Sequence, residues 1–270
     1  YSALKMGISE YLITNKPNYI NAGDETGFFE AAFKNRIPVM LKGPTGCGKT
    51  RFVEYMAWFL KKPLVTVSCH EDMTAADLVG RYLLNNDGTF WHDGPLTIAA
   101  RYGAICYLDE VVEARQDTTV VIHSITDDRR VLPIEKKGEL LKAHKDFHLI
   151  VSYNPGYQSV VKDLKESTKQ RFCALDFEYP AKEVEANIVC SEADIELEIA
   201  SSLVKIADKS RHLKGAGLNE GVSTRMLIHA AKLSKTGLSL ASACEVALVN
   251  AITDDQEVRK ALKTTISACI

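Results

Sequence analysis

Residues 43–50 read Gly-Pro-Thr-Gly-Cys-Gly-Lys-Thr, and no other stretch of this 270-residue chain limits the fold so sharply. A run with three glycines and a proline cannot sit inside a helix or a strand. It is nevertheless preceded by the apolar Val39-Met40-Leu41 and followed by residues 49–60, where Phe52, Val53, Met56, Phe59 and Leu60 fall on one side of a helix. Strand, glycine-rich turn and helix in that order imply one crossover of a parallel sheet. The spacing GxxxxGK[ST] in that setting lets backbone N–H groups converge on phosphate oxygens at a helix N-terminus. Gly43, Pro44, Thr45, Gly46, Cys47, Gly48, Lys49 and Thr50 are therefore candidate nucleotide-binding residues. Lys49 is placed to bridge the β and γ phosphates of ATP, and Thr50 to ligate Mg2+.

Further apolar runs at 64–69, 104–108, 147–153 and 173–179 predict four more strands, so residues 1–180 read as an α/β domain with a parallel five-stranded sheet between helices. The 104–108 run ends in Asp109-Glu110. A carboxylate pair there supplies what a phosphate loop requires: Asp109 to hold magnesium and Glu110 to orient and deprotonate the attacking water. From Val184 onward apolar residues recur at three- and four-residue intervals with no strand signal, which predicts a helical domain over 181–270, divided into four helices by residues 215–217 and 236–237. Pro180 marks the hinge. Two insertions interrupt the α/β half. One is a polar, glycine-containing loop at 85–94, with Phe90 and Trp91 near its end. The other, at 127–146, reads as a hairpin turning at Gly138.

The 33 Lys and Arg against 35 Asp and Glu give a net charge of -2, which argues against a protein that coats nucleic acid or anionic lipid. The basic pairs Arg129-Arg130 and Lys136-Lys137 are too few for a translocating groove, so a nucleic-acid motor is the weaker reading. No apolar run reaches the roughly 18 residues of a membrane span and Tyr1-Ser2-Ala3-Leu4-Lys5 lacks a leader core, so the chain reads as cytoplasmic, with no membrane partner. Its seven cysteines contain no CxxC pair, as expected of reduced thiols rather than a disulfide or zinc framework. His144 and His148 stand four apart but without the glutamate of a zinc-hydrolase helix, so they are not assigned as ligands.

Taken together, the two ATP motifs, Asn154 after the 147–153 strand, Arg171 in Thr168-Lys169-Gln170-Arg171-Phe172 and Arg225 in Gly221-Val222-Ser223-Thr224-Arg225 resemble an AAA+ P-loop NTPase. Gly94-Pro95-Leu96, the strand ending in Asp109-Glu110 and the Asn154-Pro155 turn are similar to the MoxR group. The longer stretches 41–54, 68–70, 107–115 and 151–159 resemble its CbbQ/NorQ branch. The resemblance implies a helical lid after the α/β domain, Arg51 within the nucleotide-binding stretch, Asn154 as a sensor of the γ-phosphate, Arg171 as an arginine finger acting in trans, and Arg225 as a second sensor. It further sets Tyr19-Ile20-Asn21, ahead of the first helix, beside adenine. It also implies a homo-hexamer with Phe90 and Trp91 toward the pore, an adaptor with a von Willebrand factor A domain, and inhibited Rubisco as client. NorQ relatives imply maturation of nitric oxide reductase instead. A nucleotide-gated scaffold that barely hydrolyses ATP is a further alternative.

Overall fold

The structure, a computed structural model, describes residues 7–155, 165–213, 218 and 220–270. Residues 156–159 and 215–217, on which sequence readings fell, lie outside it. The chain divides into two compact units: Tyr1–Pro17, Gly23–Gly43 and Lys49–Asp176 form the first, and Asn18–Ala22, Pro44–Gly48 and Phe177–Ile270 the second.

The first unit holds a five-stranded parallel sheet in the order β2-β5-β8-β1-β9, formed by β1 (Val39–Lys42), β2 (Leu64–Ser68), β5 (Ile105–Asp109), β8 (His148–Tyr153) and β9 (Cys173–Asp176). Strands β5 and β8 are buried almost throughout, which is why they read as continuous apolar runs rather than alternating ones. Strand β9 stops at Asp176, three residues before the predicted end. Helices α1 (Glu25–Asn35), α2 (Lys49–Leu60), α4 (Pro95–Tyr102) and α5 (Gln116–Thr126) belong to the same unit, with short helices α3 (Ala75–Val79) and α6 (Glu166–Lys169). Helix α2 buries Phe52, Val53, Met56 and Ala57. Phe59 departs from the predicted face: it is exposed and stacks on Tyr55.

The first insertion is not a loop but an antiparallel hairpin, β3 (Gly80–Asn85) and β4 (Gly88–Asp93), paired from Gly80↔Asp93 to Asn85↔Gly88. Its two-residue turn is Asn86-Asp87, and its first strand begins at Gly80, five residues before the polar excursion that the sequence displays. The second insertion is the expected hairpin, β6 (Val131–Ile134) and β7 (Glu139–Lys142). One side chain of α4 ties both down: Arg101 donates to Asp93 at 2.9 Å and bidentately to Glu139 at 2.6 and 3.1 Å. Planar, forked donors suit this double grip.

Among the described residues the second unit is helical, with five segments where four were expected: α7 (Lys182–Ala193), α8 (Leu197–His212), α9 (Thr224–Lys235), α10 (Leu240–Cys244, continued by a wide turn through Val249 and a last turn Asn250–Ile252) and α11 (Gln256–Ser267). Val189, Leu203, Ile206, Leu227, Leu248 and Leu262 are among its core residues. Among the described residues, no helix is long and apolar enough to cross a membrane.

Candidate functional site

The carboxyl ends of β1, β5 and β8 carry the chemistry. Register places Leu41 beside Ser152 and Leu108 beside Val151, so Gly43, Asp109 and Asn154 all leave the sheet at one edge. The loop after β1 turns through Gly46 (φ 72°) and Gly48 (φ 104°), left-handed positions that side chains rarely adopt. Helix α2 then begins at Lys49, whose ammonium donates to the Gly43 carbonyl at 2.7 Å and is 5% exposed. Cys47 is buried in the loop, Thr45 and Arg51 are exposed, and Pro44 lies between those extremes. Arg51 stands 3.9 Å from Glu54.

Asp109 is fixed by two hydroxyls: Tyr107 donates to its Oδ1 at 2.9 Å and Ser152 at 2.6 Å. The Glu110 backbone N–H in turn donates to Ser152 Oγ at 3.1 Å. Thr50 Oγ1 lies 3.4 Å from the Tyr107 hydroxyl. Since the single tyrosine proton goes to the carboxylate, which can only accept, the Thr50 hydroxyl is the donor of that contact and keeps its lone pairs for another partner. Burial, reinforced by the charge of Asp109, pushes the Tyr107 hydroxyl far up from its ordinary pKa, so it stays a donor. Burial likewise pushes the Cys69 thiol up to about 12, helped by the negative charges of Asp109 and Glu110, and keeps it inert. Glu110 itself sits at φ 55°, a strained conformation for a residue with a side chain, at the point where β5 gives way to a turn. Asn154, 5% exposed, follows the last residue of β8.

Arg171 stands outside this cluster. It donates to the His123 carbonyl at 3.3 Å, at the C-terminus of α5, and pairs with Asp127. Arg225 is in the second unit, exposed in the first turn of α9, whose N-cap is Ser223. Gly46, of the same unit, lies against this helix start: a Cβ there would stand 2.7 Å from Ser223 Cβ and 3.6 Å from Arg225 Cβ. Tyr19, Ile20 and Asn21 fall within the second unit's Asn18–Ala22 segment. On the β3–β4 hairpin the two aromatics divide. Trp91 is a staple, donating to Asp93 at 2.7 Å and meeting Tyr82 edge-on at 5.1 Å, whereas Phe90 is exposed together with Leu84.

Residues 38–172 match the family model of the AAA domain (dynein-related subfamily), and residues 185–269 match that of the CbbQ/NirQ/NorQ C-terminal region. The chain is 64% identical over 255 residues to "Protein CbbQ" of Hydrogenophilus thermoluteolus, covering 94% of this chain and 96% of that one. It belongs to the CbbQ/NirQ/NorQ family of AAA+ ATPases.

Other members of the CbbQ/NirQ/NorQ family are somewhat more distant. "Protein NorQ" of Paracoccus denitrificans is 54% identical over 252 residues, 93% of either chain, and the "Denitrification regulatory protein NirQ" of Pseudomonas aeruginosa is 54% identical over 246 residues, 91% of this chain and 95% of that one. Among solved structures, a RuvB mutant of Thermotoga maritima superposes with a TM-score of 0.55 at 16% identity, over 94% of this chain and 73% of that one. A putative ATPase from Cytophaga hutchinsonii gives 0.52 at 16%, over 100% and 93%. At that identity these two support the AAA+ fold alone.

The residues present fit the nucleotide and Mg2+ that a CbbQ/NirQ/NorQ ATPase implies. Thr50 and Asp109 each lie within reach of the one Tyr107 hydroxyl, so a hydroxyl and a carboxylate oxygen, hard donors suited to Mg2+, converge beside the loop. Sequence reasoning missed Tyr107 and Ser152. Their signal is polarity near the C-terminal end of otherwise apolar strands: strand alternation sets Tyr107 on the face of Asp109, two residues on, whereas only the register of β5 against β8 brings Ser152 there.

Proposed function

We propose that this protein is an ATP-hydrolysing ring motor of the CbbQ type, acting through an adaptor with a von Willebrand factor A domain to release inhibitory sugar phosphates from Rubisco. The reading rests on 64% identity to a CbbQ protein over 94% of the chain, against 54% to NorQ and NirQ proteins. In this reading residues 1–180 form the nucleotide-binding domain and 181–270 the lid. The 43–51 stretch holds ATP, with Lys49 leaving the Gly43 carbonyl for the β and γ phosphates. Thr50 and Asp109 hold Mg2+, which when bound offsets phosphate charge. Glu110 takes the proton of the attacking water, its backbone fixed through Ser152. Asn154 offers an amide donor and acceptor to that water and the γ-phosphate.

Arg171 exchanges Asp127 for the phosphate of a neighbouring subunit, which requires a closed ring, in this family of six. Arg225 senses nucleotide from the lid. The protein is cytoplasmic in this reading, with neither membrane nor nucleic acid as a partner. The second reading, maturation of nitric oxide reductase or another denitrification role, is favoured by the 54% identity to a denitrification regulatory protein, NirQ.

The deciding experiment measures carboxylation by sugar-phosphate-inhibited Rubisco with this protein, adaptor and ATP, beside Lys49→Ala, Glu110→Gln and Arg171→Ala rings. Recovery with the wild-type ring alone is the expected result. Adaptor-stimulated hydrolysis without recovery would remove Rubisco as client and leave the motor. Function undiminished by Glu110→Gln would make the protein a nucleotide-gated scaffold.

A further inference from the structure

The second unit contains an ion pair, with its carboxylate fully buried and its guanidinium mostly so, that the nucleotide chemistry does not use. Glu185, 0% exposed, accepts from both terminal nitrogens of Arg211, at 2.9 and 2.7 Å, and from Thr224 Oγ1 at 2.6 Å. The third donor of the same guanidinium, Nε, reaches the Val222 carbonyl at 3.0 Å, and Ser210 Oγ accepts from the Val222 N–H at 3.1 Å. Gly221 is where Arg211 passes closest: a Cβ there would stand 2.7 Å from Arg211 Cγ. One guanidinium donor, the Ser210 hydroxyl and the Glu185 carboxylate are thus spent on Val222 and Thr224, at the start of the helix that carries Arg225. Buried ion pairs are costly and seldom stabilise more than an apolar pair of equal volume, so position is the quantity this one supplies.

The same guanidinium lies 3.6 Å from the centre of the Tyr179 ring, a cation–π stack, and the Tyr179 hydroxyl donates to the Thr45 carbonyl at 3.1 Å. At the other end of the circuit Ser223 stands against Gly46, where no side chain fits. Thr45 and Gly46 are consecutive residues of the phosphate loop. They are contacted twice, Thr45 by the Tyr179 hydroxyl and Gly46 by the close approach of Ser223, and both contacts trace back to Arg211 and Glu185. Thr45, Gly46, Tyr179, Glu185, Arg211 and Ser223 all belong to the second unit. The Tyr179 pKa is raised to about 12, chiefly by burial, so its hydroxyl remains a donor across the working pH range.

We propose that Tyr179 is a positioning residue for nucleotide binding, joining the Thr45 carbonyl to the buried Glu185–Arg211 pair so that the apex of the phosphate loop and the start of the Arg225 helix form one rigid piece. This rests on the reading of the 43–50 loop as the nucleotide site. A loop whose curl is fixed beforehand binds without the entropy cost of ordering it. Nothing in the grip reaches Glu110 or Asp109, so its loss weakens binding rather than turnover.

The test uses the full-length assembled protein, with fluorescent ADP for equilibrium binding and Mg-ATP for steady-state kinetics. Tyr179→Phe keeps the ring under Arg211 and deletes only the bond to Thr45. It is expected to raise the ADP Kd and the KM for ATP about five- to tenfold, the loss of one hydrogen bond, with kcat within twofold and the melting temperature nearly unchanged. Arg211→Lys keeps the charge but loses the fork and the stack, and is expected to weaken binding at least as much. An unchanged KM and Kd in Tyr179→Phe, or a fall in kcat and melting temperature without a rise in KM, overturns the proposal. Lys49→Ala separates the two readings. If wild type binds nucleotide and Lys49→Ala does not, the site reading stands whatever Tyr179→Phe shows, whereas equal binding by both removes the site itself.

Discussion

Asp109, half-buried at the carboxyl end of its strand in the first unit, and Glu185, fully buried inside the second, are carboxylates that the protein treats oppositely. Asp109 is fixed by two neutral hydroxyls, Tyr107 and Ser152, which orient its charge without cancelling it. Glu185 is locked to the Arg211 fork, its charge spent within the fold. A carboxylate held by neutral donors retains its attraction for a cation, whereas one paired with a guanidinium is satisfied. The partner, together with burial and not the carboxyl group itself, separates a candidate magnesium ligand from a structural strut.

That contrast can be broken at several points. At the sheet edge, Glu110→Gln should lower kcat by about two to four orders of magnitude with melting little changed, since it removes a general base and no packing; single-turnover ATPase assays and thermal denaturation read the two effects. In the helical unit, Glu185→Ala leaves Arg211 buried without its counter-charge and should cost about 3–5 kcal/mol of stability, measured by urea unfolding. A loss below about 1 kcal/mol there would mean that the two carboxylates are not distinguished by their partners.

His148 tests burial with no counter-charge. It is packed between Phe29 and Phe33, with Nε2 donating to the Ile37 carbonyl at 2.7 Å. Burial lowers its pKa to about 4, opposed by that bond and assisted by Arg130. A histidine kept neutral in the fold binds its proton more readily once unfolded. Its contribution is therefore complete above about 6.5 and lost as pH falls toward 4, by roughly 3 kcal/mol in all. His148→Phe should flatten the pH dependence of unfolding over that window.

Smaller effects sharpen the same comparison. Ser152→Ala removes one of the two hydroxyl donors of Asp109 and the acceptor of the Glu110 N–H; a five- to tenfold fall in kcat, with a higher Mg2+ concentration for half-maximal rate, is the expected outcome. At the surface, Asp255 caps α11 by accepting from the Glu257 and Val258 N–H groups, and Asp255→Ala should cost about 1 kcal/mol in thermal unfolding with kcat and KM unaltered. The same functional group then spans the full range from chemistry to strut to cap.

Parts of this were legible beforehand because they are local. The GxxxxGK[ST] run between an apolar strand and an amphipathic helix identifies a phosphate loop without any knowledge of the sheet. The β3–β4 hairpin was not legible, since β3 begins at Gly80, directly after a one-turn helix, and no alternation announces it. The double role of the hairpin aromatics was also hidden. Whether Trp91 or Phe90 faces inward depends on register, which a one-residue slip reverses.

The sequence by itself determined the parallel α/β architecture, the helical tail, the loop and the Asp109-Glu110 pair, because each is written in neighbouring residues through glycine conformation, strand apolarity and helical period. Only the tertiary structure decided that Tyr107 and Ser152 orient Asp109, that Arg171 is held at the end of α5 by Asp127, and that Tyr179, Arg211 and Glu185 converge behind Thr45. Tyr107 stands only two residues from Asp109, but Ser152 comes from 43 residues away, Arg171 meets Asp127 across 44, Arg211 meets Glu185 across 26 and Tyr179 reaches Thr45 across 134. Their meeting depends on strand register and helix packing, which no local pattern records.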